Sequence, residues 1–195
     1  MIGNDIVDLK LAAKESNWKR PRLHSKIFSE TEQEILQHSK NPEQCFWLLW
    51  TMKEAAYKAH QRRFSLPRKF NPKSFGCSLN TSEGSASSGV VEVDNWHYCI
   101  TAHISEKVIH CVASAENPEV KTKLITEHKN LNRELIFAIS SQTKLSSEDL
   151  VIAKDEKYIP HLFFNGKNYN MPFSLSHHGD YSAYAFAVNS LLKTS

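Results

Sequence analysis

The stretch from Asn41 to Lys58 constrains this chain more than any other. Asn41 suits a helix N-cap, and Pro42 suits the first helical position, where no N–H is needed. Phe46, Trp47, Leu48, Leu49 and Trp50 then follow without a break. Five large apolar residues in succession cover the whole circumference of a helical turn, so the helix they form is buried on all sides. Lys53, Glu54 and Lys58 come directly afterwards. Glu54 and Lys58 stand four apart, share one helical face and continue the line of Trp47 and Trp50. On an open surface such a pair adds only about 0.2–0.5 kcal/mol. A carboxylate and an ammonium carried out of a buried core need partners, and the rest of the chain has to supply them.

At 195 residues and 41% apolar content, the chain has room for one domain or two small lobes with a real core. A net charge of +3 is too small to argue for nucleic acid. Cys45, Cys77, Cys99 and Cys111 form no C-x-x-C pair and complete no zinc pattern with histidine. They read as reduced thiols of a cytosolic protein. Met1 to Lys10 carries Asp5 and Asp8 and lacks a basic n-region, so no signal peptide is expected. The longest apolar run, Cys45 to Trp50, is far too short to span a membrane. The expectation is a cytoplasmic protein with neither nucleic acid nor membrane as partner.

Ile2 to Leu9 reads as a strand in which Gly3 permits close backbone approach. Asp5 in that strand wants a reason. Lys10 to Arg22 is basic and predicts a helix, then a turn at Pro21. Its charges are either a solvated face or a docking surface for an acidic partner. Ser29-Glu30-Thr31-Glu32 is a capping box opening a short helix to about His38. The major helix runs from Pro42 to about His60 and ends in Gln61-Arg62-Arg63, whose arginines either contact phosphate or stand exposed. Strands are expected over Ser74–Leu79, Val90–Val93, Tyr98–Ile104 and Val108–Ser114, with a mobile loop from Thr81 to Gly89. Asn117-Pro118 repeats the device of Asn41-Pro42 and predicts a second long helix, to about Ser140. Val151–Lys154 and Tyr158–Phe164 follow as strands, with a tight hairpin at Asn165-Gly166 and a closing strand over Tyr184–Val188. Antiparallel hairpins with segregated helices argue an α+β fold. The halves divide at residues 1–115 and 116–195, as one structural unit with the site between them.

Asp5 on a strand and Glu54 on a buried helix can converge on one cation. Two carboxylates that leave positions open suit Mg²⁺, which prefers oxygen ligands, keeps waters and binds substrate phosphates. Lys53 and Lys58 flank the pair and would offset phosphate charge. Lys167 and His177 offer further cationic or donor contacts. No G-x-S-x-G, Walker A loop or G-x-G-x-x-G occurs, and Ser176 beside His177 does not by itself make a nucleophile–base pair. A Mg²⁺-dependent reaction on a pyrophosphate fits this set better than hydrolysis by a triad.

Two stretches carry a family resemblance. Gly3-Asn4-Asp5-Ile6-Val7-Asp8-Leu9 resembles the G-x-D-I-V-[ED]-[IL] segment of holo-acyl-carrier-protein synthases. Trp50 to Ala59 resembles the W-[ST]-x-K-E-[AS]-x-x-K-A signature of 4′-phosphopantetheinyl transferases. Between them, Arg22 to Glu32 is similar to that superfamily's R-L-x-x-[RK]-[IV]-[FL]-[ST]-x-x-E stretch, and Phe64-Ser65-Leu66-Pro67 to Phe75 resembles the segment after the K-E-A helix in the larger, surfactin-type members. Gly166-Lys167-Asn168-Tyr169 and Ser174-Leu175-Ser176-His177-His178 resemble the G-K-P-[YF] and S-H-S elements of the surfactin type. There these elements precede G-x-D; here they come last, as a circular permutation of a two-lobed fold would place them. Val7 stands where surfactin-type members carry a second acid, Gln61-Arg62-Arg63 replaces a G-x-G, and Asn168 replaces the proline of G-K-P.

The resemblance implies two similar lobes, each a long helix on a small antiparallel sheet, related by a pseudo-twofold axis. It implies a Mg²⁺-dependent transfer of 4′-phosphopantetheine from coenzyme A to a serine of an apo acyl or peptidyl carrier protein, in fatty-acid, polyketide or peptide synthesis, with release of 3′,5′-ADP. Asp5 and Glu54 would hold the metal. Glu54 would help deprotonate the serine, directly or through a water, and Lys58 would stabilise the transferring phosphate with Lys53 nearby. Arg62, Lys167, Ser176 and His177 would hold the nucleotide phosphates, and the basic segment from Lys14 to Lys26 would meet the acidic carrier. Two lobes in one chain imply a monomer, with a trimer ranked below it if the first half assembles as the small synthases do. The rival readings are a non-catalytic relative that binds coenzyme A or a carrier, and another Mg²⁺-dependent phosphoryl or nucleotidyl transfer.

Overall fold

The computed structural model describes residues 1–83, 86–115, 118–126 and 130–188. The chain opens with β1 (Ile2–Asp8) and three short helices, α1 (Leu9–Glu15), α2 (Leu23–Ile27) and α3 (Glu30–His38). The long helix α4 (Pro42–Phe64) follows, then β2 (Gly76–Glu83), β3 (Ala86–Val93), β4 (Trp96–Ile104) and β5 (Val108–Ser114). These strands form one antiparallel sheet in the order β1-β5-β4-β3-β2. The remaining elements are β6 (Val120–Ile125), α5 (Leu131–Thr143), β7 (Leu150–Lys154), β8 (Pro160–Phe164), β9 (Lys167–Asn168), β10 (Phe173–His178) and β11 (Tyr181–Ala187). They make two antiparallel three-stranded sheets, β10-β11-β6 and β7-β8-β9. The architecture is α+β, with five α-helices among the described residues. None of these helices is long and apolar enough to cross a membrane.

α4 lies across the five-stranded sheet, against β1 and β5, and α3 packs on α4 and β2. Phe46, Trp47, Leu48 and Leu49 are buried, as an apolar belt around a helix requires, but Trp50, expected to complete the belt, is only partly buried. Trp18, His24 and Phe28, from the segment between α1 and α3, pack their rings around Phe46. Asn41 caps α4 by accepting from the Gln44 amide, and the capping box at Ser29 and Glu32 forms as expected.

β1 is buried on both faces, and its alternation sorts the residues. Gly3 and Val7 face α4: a methyl group on Gly3 would collide with the carbonyl of Ala55 and the amide of Ala59. Ile2 and Ile6 face the other way, where they pack on Ala183, Ala185 and Ala187 of β11. Asn4 shares that face. Its amide N–H donates to Ser174 Oγ at 2.8 Å and its side chain to Ser176 Oγ at 3.0 Å. The first strand of the chain is thus clasped by β10 and β11.

Several sequence-based boundaries are corrected. No helix follows Pro118. Val120–Ile125 is a strand paired with β11, and the helix begins at Leu131, with Asn130 accepting from the Arg133 amide as its cap. Asn117 lies outside the described residues. Val120, Thr122 and Ile125 are β-branched, and β11 offers them an open edge, so strand pairing wins over the Asn-Pro signal. The expected loop over Thr81–Gly89 is mostly hairpin: β2 reaches Glu83, and β3 starts at Ala86. α4 passes His60 and ends at Phe64, where Ser65 adopts a left-handed C-cap with φ 49°. Gln61, Arg62 and Arg63 are therefore helical residues. The first basic helix stops at Glu15, the strand expected from Tyr158 starts at Pro160, and the closing strand spans Tyr181–Ala187. The two halves are unequal in their elements: a 23-residue helix on five strands in one, a 13-residue helix beside two three-stranded sheets in the other.

Candidate active site

The close approach permitted by Gly3 brings Asp5 of β1 against α4. Lys58 Nζ donates to Asp5 Oδ1 at 2.8 Å and to the Asn4 carbonyl oxygen at 3.0 Å. Glu54, one turn earlier on the same face, is the second carboxylate of the site. Among the described residues no donor hydrogen-bonds to it. Its carboxyl is pushed up to about 7, first by burial and then by the neighbouring Asp5 charge; Lys58 and Arg68 pull the other way. A carboxylate so placed is short of positive charge.

Two clefts meet at this point. The larger, about 810 Å³, is lined by Lys58, Arg62, Arg68, Lys154 and Lys157, with Glu54 the only acid on its wall among the described residues. The smaller, about 560 Å³, has an apolar floor of Val7, Trp18, Leu23, Phe46, Trp47 and Trp50, with Asp5 and Arg20 on its rim. Glu54, Lys58, Arg68 and His177 line both. The larger cleft is closed by a turn from the second half. Asp155 Oδ1 accepts from the amides of Lys157 and Ile159, Lys157 Nζ donates to the Ser65 carbonyl at 2.6 Å, and Gln61 donates to the Lys157 carbonyl at 3.4 Å. Gln61 and Arg62 extend the line of Glu54 and Lys58 along this wall because the helix continues through them. Arg62 lies over the Phe173 ring at 5.6 Å; burial pulls its guanidinium down to about 10, still charged at neutral pH.

Of the residues singled out from sequence, Asp5, Glu54, Lys58, Arg62, Ser176 and His177 come together around the clefts. Ser176 is buried, its hydroxyl committed to Asn4, while His177 beside it is exposed. Lys53 is not brought to the site. It is sealed in the core, 2.8 Å from Glu32, and also donates to the carbonyls of Pro72 and Phe75. Adjacent helical positions point about 100° apart, so a lysine next to Glu54 cannot share its face. Lys167 is exposed on β9 and lines neither cleft. Arg68, Lys154 and Lys157 line the larger cleft, where Lys53 and Lys167 were expected. Arg68 lies within the stretch that resembles surfactin-type enzymes; nothing local marks the other two.

A divalent cation fits the donor set. Asp5 and Glu54 offer hard oxygens from two elements, and an ammonium already sits on one of them as a positive charge. No cluster of three or more His, Cys, Asp or Glu side chains able to hold a metal occurs among the described residues. A cation held by Asp5 and Glu54 would complete its shell with solvent and phosphate oxygens, which suits Mg²⁺.

A family profile described as the 4′-phosphopantetheinyl transferase superfamily matches residues 1–113. The chain belongs to this superfamily, whose members act on carrier proteins with coenzyme A. A search of curated proteins returns no significant match. The profile covers β1, α4 and both carboxylates; β10 and the 155–158 turn lie beyond it.

Proposed function

We propose that the protein is a phosphopantetheinyl transferase that moves 4′-phosphopantetheine from coenzyme A to a serine of an apo carrier protein. The observation that supports this most is the junction of Asp5, Glu54 and Lys58, where a cation-walled cleft meets an apolar-floored one. Coenzyme A lies with its nucleotide phosphates among Arg62, Arg68, Lys154, Lys157 and His177. Its pyrophosphate reaches Lys58. The carrier serine enters over the smaller cleft, beside the basic residues from Lys14 to Lys26, which suit an acidic partner.

The serine oxygen bonds to the phosphorus that bears the pantetheine arm. The bridging P–O bond of the pyrophosphate breaks, and 3′,5′-ADP leaves with those electrons. Glu54 takes the serine proton, directly or through a water. Lys58 balances charge on the transferring phosphate. Asp5 and Glu54 would hold a Mg²⁺ ion, which supplies alignment and charge neutralisation at the pyrophosphate. The second half lends residues to the cleft within one chain, so the working unit is a monomer.

The test is incubation with coenzyme A, Mg²⁺ and a panel of apo acyl and peptidyl carrier proteins, read by intact-protein mass spectrometry. One carrier should gain a phosphopantetheine, and 3′,5′-ADP should appear in equal amount. Coenzyme A binding with no mass gain on any carrier would make the protein a binding module instead.

A further inference from the structure

We propose that Lys58 is a resident counter-ion. Its ammonium occupies the cation position on Asp5 in the ligand-free protein and gives it up when a divalent cation arrives together with the coenzyme A pyrophosphate. The inference rests on the transfer reading above, since it concerns the same site.

The geometry of Lys58 carries it. The side chain reaches strand β1, where Asp5 Oδ1 and the Asn4 carbonyl receive it at 2.8 and 3.0 Å. Two carboxylates, Asp5 and Glu54, lean on this ammonium at the junction of the clefts. The pair is open enough to exchange: Lys58 is 26% and Asp5 14% exposed. A divalent cation cannot bind Asp5 beside an ammonium already bonded to it without strong like-charge repulsion. Departure of Lys58 relieves that repulsion, and the ammonium then needs an anion to go to. The Asn4 carbonyl cannot follow, because it is backbone held in β1 between β5 and β10. A phosphate in the larger cleft, whose wall Lys58 also forms, is the available destination. Each ligand thus removes the obstacle to the other. The metal frees Lys58 for phosphate, and phosphate receives the Lys58 that blocks the metal. Such coupling is reciprocal by thermodynamic necessity. The protein accordingly holds the metal weakly by itself and takes up the metal–coenzyme A complex as a unit.

Mn²⁺ binding, measured by the electron paramagnetic resonance signal of the free ion, tests this without any carrier protein. In the wild type, Mn²⁺ alone should bind weakly, and coenzyme A should tighten it by about tenfold or more. Lys58→Met should bind Mn²⁺ alone about tenfold more tightly than the wild type and lose most of the coupling. Lys58→Arg keeps a cation on Asp5 and should behave as the wild type does. Asp5→Asn should abolish binding in every background. Circular dichroism verifies folding, and Lys58→Gln replaces the methionine variant if that fails to fold. Equal or weaker Mn²⁺ affinity in the neutral variants, binding that survives Asp5→Asn, or no binding to any of these proteins overturns the proposal. The metal data do not depend on transfer. Mn²⁺ affinities as expected, with no carrier modified, would sink the transfer reading alone. Robust transfer with affinities unmoved by Lys58→Met would sink the counter-ion alone.

Discussion

Helix α4 carries two lysines five residues apart, and each stands 2.8 Å from a carboxylate. Lys53 and Glu32 are 0% and 1% exposed, and every valence of the pair is filled. Glu32 receives the Ser29 and Cys77 amides as well as the ammonium, and Lys53 also donates to Pro72 and Phe75. This pair has nothing left to offer a ligand; it fastens α3 and the chain before β2 onto α4. Lys58 and Asp5 are half-open, and beside them Glu54 has no donor among the described residues. That set is electrostatically incomplete. What separates the closed ion pair from the open one is not distance but whether the surroundings satisfy both charges.

Substitutions on either side should break this comparison in different currencies. The largest effect is expected from Glu54→Gln, which removes the proposed base: transfer to a carrier should fall about 10²–10⁴-fold in a steady-state mass assay, with no loss in urea midpoint. Lys53→Met should do the reverse. Leaving Glu32 charged and buried without its partner costs about 3–5 kcal/mol in urea unfolding, while the molecules that remain folded transfer at the normal rate. Loss of transfer beyond the folded fraction would show Lys53 to be part of the site after all.

Acid–base behaviour separates the regions further. The ordinary value for Glu54 is 4.5 and the folded value about 7, so between these the native state holds a proton that the unfolded chain releases. Its contribution to metal-free stability is complete below about pH 4.5 and is lost as pH rises through 7, about 3 kcal/mol. Denaturation in EDTA should show Glu54→Gln gaining on the wild type from pH 4.5 to 7 and running parallel above. His110 works in the opposite sense. Burial, chiefly, with His103 and Lys58 nearby, pulls it down to about 4, so stability is lost as pH falls from 6.5 towards 4. His110→Gln should blunt that acid limb. The smallest effects belong to the cleft wall. Arg68→Gln and Lys157→Gln should each raise the KM for coenzyme A about threefold to tenfold, less at high salt, with kcat unchanged.

Much of the first half was legible because its signals are local or carried by contiguous motifs. The capping box at Ser29, the Asn41 cap, the apolar belt of α4 and the Gly3–Asp5 strand all depend on residues within one or two turns of each other. The second half was misread at Asn117-Pro118, where a local helix signal lost to the open edge of β11. Within the site, Asp5, Glu54 and Lys58 could be named from spacing and resemblance. Lys53 was misplaced although the angle between adjacent helical residues already argued against it.

By itself the sequence determined the family, the long buried helix and the two carboxylates that leave it and its neighbouring strand. Only the tertiary structure decided which cations serve them. Lys154 and Lys157 reach the cleft because the turn at Asp155 docks on the C-terminal end of α4, roughly ninety positions away along the chain, as the Lys157–Ser65 bond shows. Periodicity and motif spacing report what one element presents to its surroundings. Which distant charge answers depends on chain packing, and no local pattern encodes that.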